Sequence, residues 1–412
     1  MAENLFLKSD AYGSHNSSDQ ALAQSNRIMN NFSFHNPTNI VFGEGQIKTL
    51  VNLLPPNARI LFTYGGGSIK NNGVYDQVKS ALKGRIYFEF SGIEPNPHYE
   101  TALQAVTLVK EKQIDFLLAV GGGSVIDATK FIAAASQFDG DPWDILAKHV
   151  PLKSALPIGC VLTLPATGTE SNGNSVITKF STHEKLAFGS ALVYPQFAIL
   201  DPTTTYTLPA RQVANGVVDA FVHIMEQYLT YPANAKVQDR FAEGLLLTLI
   251  EEGPKILTHP NDYAIRANVM WAATMALNGL IGVGVPQDWA THALGHEITA
   301  LHGLDHAQTL AIVLPALMNQ QRSTKREKII QYGKRVWALD DTDEEKLITH
   351  AIAKTKEFFE QMGTPTTFTG YGIADTKVST LVEKLVQHNS LPIGEHKDIT
   401  SEIAAKILTA AA

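Results

Sequence analysis

The 412-residue sequence has a single cysteine, Cys160. That excludes an internal disulfide and any cysteine-rich zinc or iron–sulfur centre. Cys160 lies in the apolar run IGCVLTLP and reads as a small buried hydrophobe rather than a nucleophile. No stretch of about 18 uncharged apolar residues occurs, so no membrane-spanning helix is expected. Blocks of Lys and Arg are also missing, and the net charge is -7, which argues against a nucleic-acid partner. TKREK at 324–328 is a short mixed-charge run, expected to be a solvated helix face. The opening residues are polar and lack the basic and apolar regions of a secretory signal. Residues 1–28 are therefore expected to be an expression leader or loose arm, and a cytoplasmic location is expected for the chain.

What is present is apolar residue in quantity: 44% hydrophobic against 18% charged, enough for two or three domains. From about residue 58, short apolar runs alternate with helical segments: ARILFTYGGGSIK, GRIYFEF, HYETALQAVTLVKEK, IDFLLAVGGGSVIDATKFIAAAS, PIGCVLTLPAT and FAILDP. Such alternation predicts a mostly parallel sheet with helices on both faces. After LDPTTTYTLP the pattern turns helical almost throughout, with apolar residues recurring at three and four. The expected organisation is an α/β, Rossmann-like dinucleotide-binding domain over 29–207, followed by an all-α metal-binding domain, a helical bundle, over 208–412.

Two glycine turns stand out. In LLAVGGGSVIDATK, three glycines join an apolar strand to a helix, where backbone N–H groups and the helix dipole can meet a phosphate. The spacing is not the six-residue GxGxxG fingerprint, and a tight turn without ligand is the plain alternative. Asp127, one turn past Ser124, could face the same crevice. In YGGGSIKNNG, the position that often carries a ribose-binding carboxylate offers Gly65, Gly66, Gly67 and Ser68, with Lys70 nearby. Amides, a hydroxyl and an ammonium would accept a 2′-phosphate that a carboxylate would repel, so NADP(H) is favoured over NAD(H). An ordinary turn with an exposed lysine is the competing reading.

Downstream, ANGVVDAFVHIMEQY sets Asp219 and His223 four apart, one turn along a single helix face amid apolar neighbours. THALGHEITALHGLDHAQTLA holds four histidines: His292, His296, His302 and His306. His292 and His296 repeat the i, i+4 spacing, and His306 follows a Gly-bearing break. A carboxylate and imidazoles in apolar surroundings need a shared partner. One carboxylate with three imidazoles suits Zn²⁺ or Fe²⁺, not Ca²⁺ or Mg²⁺. Spacing alone leaves open which three histidines take part; HALGH is not the H-E-x-x-H of zinc proteases.

AVGGGSVIDATK, TLPATGTESN, DAFVHIMEQY and the H-x₃-H-x₉-H spacing of His292, His296 and His306 together resemble the iron-containing (group III) alcohol dehydrogenase family, from about Met29 onward. Within it, the chain is similar to the NADPH-dependent aldehyde reductase and butanol-dehydrogenase-like branch. The resemblance implies a dehydroquinate synthase-like two-domain architecture and hydride transfer between NADP(H) and a small aldehyde or primary alcohol, with aldehyde reduction favoured. It implies one divalent metal, Fe²⁺ or Zn²⁺, on Asp219, His223, His292 and His306, with His296 as a candidate proton-relay group. Gly122, Gly123 and Ser124 would hold the pyrophosphate, Thr163 and Thr167 would line the cofactor crevice, and Lys185 would approach the ribose. His302 matches no ligand position and reads as packing. Many relatives that use NAD place an aspartate where this chain has Gly65–Gly67. Leu280, Ile281, Val283, Val285, Trp289 and Leu294 suggest an apolar pocket for small carbonyls. A homodimer joined near the first strand is expected, with neither nucleic-acid nor membrane partners. The alternatives are a dehydroquinate synthase-like or glycerol dehydrogenase-like NAD/metal enzyme, or a metal- and nucleotide-binding protein without catalysis. The first calls for several basic side chains around the metal, which 282–301 does not supply.

Overall fold

The structure is a computed structural model that describes residues 28–388 and 390–412. The expected leader, apart from Ile28 at its end, lies outside the described residues. The N-terminal half is built on a six-stranded parallel sheet: β1 (Asn39–Phe42), β2 (Arg59–Thr63), β3 (Ile86–Phe90), β4 (Phe116–Gly122), β5 (Ile158–Leu164) and β8 (Phe197–Leu200), in the order β1-β8-β5-β4-β2-β3. Between β5 and β8 in sequence, β6 (Asn174–Lys179) and β7 (Glu184–Gly189) form a separate antiparallel hairpin.

The near-continuous apolar runs of β2 and β4 follow from burial on both sheet faces. Ile60, Phe62, Leu118 and Val120 face α1 (Val74–Ala81), while Leu61, Leu117 and Ala119 face α2 (Tyr99–Glu111) and α3 (Gly123–Ala135). The chain runs outward from β2 to β3 on one side, and from β4 to β5 on the other. The sheet therefore has its topological switch between β2 and β4, the place where open α/β sheets bind ligands beyond their carboxyl ends. Both glycine turns sit there.

The C-terminal half is helical: α4 (Ala210–Tyr228), α5 (Lys236–Thr258), α6 (Tyr263–Ala276), α7 (Ala290–His302), α8 (His306–Gln320), α9 (Arg326–Arg335), α10 (Glu344–Gln361), α11 (Val378–Gln387) and α12 (Ser401–Ala410). Val217, Phe221, Leu246, Leu249, Tyr332 and Phe359 form the centre of its largest core. α4 follows β8 after one 3₁₀ turn, Pro202–Thr205, whose N-cap Asp201 accepts from Thr203 N. That short link delivers α4 directly onto the carboxyl edge of the sheet.

Two sequence expectations need correction. The TKREK run is only in part a solvated face: Thr324 and Glu327 are exposed, but Lys325 and Lys328 are 3% and 4% exposed. Lys325 Nζ donates to Leu229 O, Asp288 and Glu395, and Lys328 Nζ donates to Asp239 Oδ1 (2.7 Å) while lying 4.0 Å from the Tyr228 ring centroid. Their partners are distant in sequence, so local charge pattern does not reveal them. Nor do the six apolar residues near the histidines form one pocket. Only Trp289 lines the large cleft; Leu294 is in the C-terminal core, and Ile281 and Val285 border a separate small hollow. Leu280, Ile281, Val283 and Val285 belong to the irregular turns before α7, Trp289 is its N-cap and only Leu294 is on the helix, so no common face unites them.

Candidate active site

A cleft of about 570 Å³ lies between the carboxyl edge of the sheet and the helical half. At its sheet end, Gly122 closes β4 and Gly123 opens α3, directing the first free N–H groups of α3 towards the cleft. A Cβ on Gly123 would stand 2.6 Å from Thr167 Oγ1, so glycine permits the close approach of this turn to the TLPATGTE loop. Ser124 Oγ accepts from Asn96 N (3.3 Å). Gly123, Ser124, Asp127, Thr167 and Lys185 all line the cleft.

Asp127 is tied down on both oxygens, accepting from Thr169 Oγ1 (2.6 Å) and Val176 N (3.0 Å). It anchors the hairpin as well as bordering the cleft. Lys185, on β7, donates to Asn96 Oδ1 (2.8 Å). Burial pushes its ammonium down to about 8, against the pull of Asp219 and Asp127. Thr163 lies buried on β5, outside the cleft lining. Gly65, Gly66, Gly67 and Ser68 also stand outside it, at the end of β2. Gly67 has φ +103°, and Ser68, exposed, begins a 3₁₀ turn whose Ile69 is buried. A Cβ on Gly65 would lie 3.7 Å from Val125 of α3, which places this turn beside the other. Lys70 Nζ sits over the Tyr64 and Tyr75 rings, 5.3 and 5.1 Å from their centroids.

At the helical end, α4 presents Asp219 and His223, α7 presents His292 and His296, and α8 begins with His306. α7 stops at Gly303 in the left-handed region (φ +72°), and Asp305 starts α8 with a reciprocal capping box to Gln308. That turn swings His306 back over the face of α7. Candidate ligand atoms of Asp219, His292 and His306 lie within 4.8 Å of one another. His223 Nε2 and His306 Nε2 are 3.7 and 3.8 Å from Asp219 Oδ1, too far for hydrogen bonds. The His223 ring stacks on His292 at 4.7 Å between centroids, and His296 stands 5.2 Å from His306.

Asp219 Oδ1, His223 Nδ1, His292 Nε2 and His306 Nδ1 are buried without a hydrogen-bond partner. Asp219 Oδ1 and His292 Nε2 fit a shared cation, since each otherwise carries the penalty of an unpaired buried polar atom, while His223 and His306 turn Nε2, not the orphaned Nδ1, towards Asp219 Oδ1. Burial pushes His223 down to about 4 and His292 to about 3, and holds His296 and His306 well below the usual imidazole range. Burial likewise raises Asp219, with His223 and Lys185 opposing. The rings are thus neutral, the form in which imidazole binds a metal. His302, by contrast, contacts Thr376 O (3.1 Å) through Nε2 and packs on Phe368, away from this group.

Two residues near the site escaped the sequence reading. Asn96, with φ +54°, links Ser124 to Lys185. Glu226 on α4 accepts from the backbone N of His292 and contacts its ring Nδ1, each at 2.9 Å. Its signal was available, because Asp219, His223 and Glu226 fall at i, i+4 and i+7 on one helix face.

Residues 37–202 match the family description "Iron-containing alcohol dehydrogenase", and residues 213–412 match "Fe-containing alcohol dehydrogenase family, C-terminal". The chain is 60% identical over 386 residues to the NADPH-dependent aldehyde reductase YqhD of Escherichia coli, covering 93% of this chain and 100% of that protein. It is 42% identical to the probable NADH-dependent butanol dehydrogenase 1 of Bacillus subtilis, with coverage of 93% and 100%. The solved structure of the substrate- and cofactor-free E. coli YqhD superposes with TM-score 0.88 at 58% identity, over 93% of this chain and 100% of that one. That of the NADH-dependent butanol dehydrogenase A of Thermotoga maritima gives 0.90 at 37% identity, over 94% and 100%.

Proposed function

The chain belongs to the iron-containing alcohol dehydrogenase family, and on that premise we propose how its residues serve the reaction. It is an NADP(H)-dependent oxidoreductase acting on aldehydes and alcohols. In the proposed arrangement Asp219, His223, His292 and His306 hold one divalent cation, Fe²⁺ or Zn²⁺. The observation that carries this is the gathering of Asp219, His292 and His306, with His223 Nε2 3.7 Å from Asp219, around two buried, unpartnered atoms, Asp219 Oδ1 and His292 Nε2, at the helical end of the cleft. When bound, the cation supplies Lewis acidity towards a carbonyl or alcohol oxygen, and NADP(H) supplies or accepts the hydride.

The chain's own residues do the rest. Gly122, Gly123 and Ser124 offer backbone N–H groups and a hydroxyl to the pyrophosphate at the start of α3. Thr167 and Asp127 shape the crevice, and Lys185 approaches the cofactor ribose from β7. Gly65–Gly67 and Ser68 meet the adenosine side, where the lack of a carboxylate leaves room for the 2′-phosphate of NADP(H). Thr163 supports the crevice from behind. His296, held neutral by burial beside His306, is able to take up or give a proton at an imidazole nitrogen. Trp289, Leu277 and Ala293 give the substrate end an apolar wall, which suits short aldehydes.

Among the described residues only two basic side chains other than histidine line the cleft, Lys185 and Arg211, and Arg211 is paired with Asp305 at 3.0 Å. A polyanionic substrate of the dehydroquinate synthase type has little to meet here. We assign the domain division to residue 207, within the link between β8 and α4. The reading also includes a homodimer along the open edge of β1, beside exposed Phe32, Phe34, Phe42 and Trp271, and a cytoplasmic location. No helix among the described residues is long and apolar enough to cross a membrane.

The test is elemental analysis of freshly purified protein together with NADPH and NADH oxidation on a panel of short aldehydes. One iron or zinc per chain and faster turnover with NADPH on butanal are expected. Bound NADP(H) with no turnover of any aldehyde would overturn the catalytic assignment.

A further inference from the structure

The buried surroundings of His292 hold a carboxylate that neither the hydride transfer nor the cation-ligand set uses. Glu226, 3% exposed, sits seven residues after Asp219 on the same face of α4. One of its oxygens, Oε1, accepts the backbone N–H of His292 and contacts the ring Nδ1 of the same residue, both at 2.9 Å. As a carboxylate Glu226 has no hydrogen to give, so Oε1 accepts from the ring as it does from the backbone, and Nδ1 carries the hydrogen. The other ring nitrogen, Nε2, is then left with a bare lone pair. That nitrogen is buried and has no hydrogen-bond partner, and His292 is the residue grouped with Asp219 and His306.

We propose that Glu226 is a positioning residue: by taking the Nδ1 hydrogen of His292 it fixes the tautomer and ring orientation that turn Nε2 into the cation site. This rests on the cation reading given above. An imidazole in the other tautomer would bring a hydrogen, not a lone pair, to the cluster. A carboxylate behind a ligating imidazole also raises the basicity of the ring, and loss of such a partner typically weakens metal binding about 10–100-fold.

Glu226 is itself held. Asp288 N donates to its backbone carbonyl (2.9 Å), and the Asp288 carboxylate pairs with buried Lys325, which in turn pairs with Glu395 in the loop before α12. The ion pair that replaced the expected solvated run therefore braces the segment from which α7 starts. Glu226 also caps that helix start through the His292 N–H, so a capping role alone has to be distinguished from control of the ring.

The experiment uses the full chain stripped with a chelator, titrated with Zn²⁺ against a chromophoric competitor at neutral pH. Glu226→Gln keeps an acceptor for the backbone N–H but removes the charge. It is expected to bind Zn²⁺ about 10–100-fold more weakly than the unaltered chain and to shift the visible absorption of the Co²⁺-loaded protein. In a His292→Ala background, titrated at the higher Zn²⁺ concentrations its weakened site requires, the same substitution should change the residual affinity little. A folded Glu226→Gln protein with unchanged Zn²⁺ affinity and Co²⁺ spectrum would overturn the proposal. So would an equal loss of affinity with and without His292, which would leave only the capping role. If Glu226→Gln does not fold, Glu226→Asp, which retracts the carboxylate by one methylene, is put through the same titrations against the same criteria. Failure of the unaltered chain to bind Zn²⁺ would instead remove the cation reading, and this one with it.

Discussion

Gly216 of α4 lies directly against the carbonyl of Pro165: a Cβ at residue 216 would stand 2.4 Å from that oxygen. One turn later the same helix carries Asp219, and two residues after Pro165 the loop carries Thr167. The cation end and the cofactor end of the cleft are thus held in register by a contact that only glycine allows. Gly216→Ala must push backbone from backbone, and overpacking of this kind costs about 1–3 kcal/mol. The variant should unfold several degrees lower and lose kcat/KM for aldehyde, read by thermal denaturation and steady-state assay. An unchanged kcat/KM would show that the register of α4 is not critical.

Removal of a single imidazole should separate the two ends of the cleft. His292→Ala is expected to lose its bound metal and nearly all turnover while still binding NADPH, because the glycine turn lies at the other end. Metal content by elemental analysis and NADPH binding by fluorescence check both halves. Full metal occupancy in this variant would remove His292 from the ligand set.

The loop after β2 should decide between cofactors. Ser68 is exposed at the start of its 3₁₀ turn, so an aspartate fits without disturbing the core. Ser68→Asp should raise KM for NADPH about tenfold, equivalent to about 1.4 kcal/mol of repulsion, and leave NADH much less affected. Equal effects on both would take Ser68 out of ribose recognition.

Lys185 gives the pH dependence. Its ammonium, pushed down to about 8 by burial, is charged below that pH and neutral above it. If it meets the anionic cofactor, NADPH affinity is full below pH 8 and declines as pH rises through about 8. A bound anion favours the charged form, so in the complex the group should titrate higher. Lys185→Met should weaken NADPH binding about tenfold below pH 8 and erase the decline. A Kd profile that keeps its inflection in that variant would assign it to another group.

The parallel sheet and both glycine turns were readable because a strand buried on two faces is apolar along its whole length, as β4 is. The cluster was readable because helical spacing puts Asp219 beside His223, and a glycine stop explains how His306 returns to His292. Other features left no local mark. β6 and β7 alternate weakly, with Ile177 and Phe188 their only fully buried large side chains, so the hairpin went unrecognised. Lys325 reads as solvated until Asp288 and Glu395 are brought to it. Thr163, two residues from the Pro165 bend, points into the interior and not the cleft. In each case the deciding neighbour is remote in sequence, and composition within ten residues cannot name it.

The depressed basicity of the clustered rings has a consequence for hydrogen-ion balance. With His223 near 4 and His292 near 3, protons compete for those nitrogens only in distinctly acid solution. Taking up a divalent ion near neutrality therefore expels no proton from either ring. Acid stripping of the ion should accordingly set in far below the pH at which an ordinary histidine site lets go.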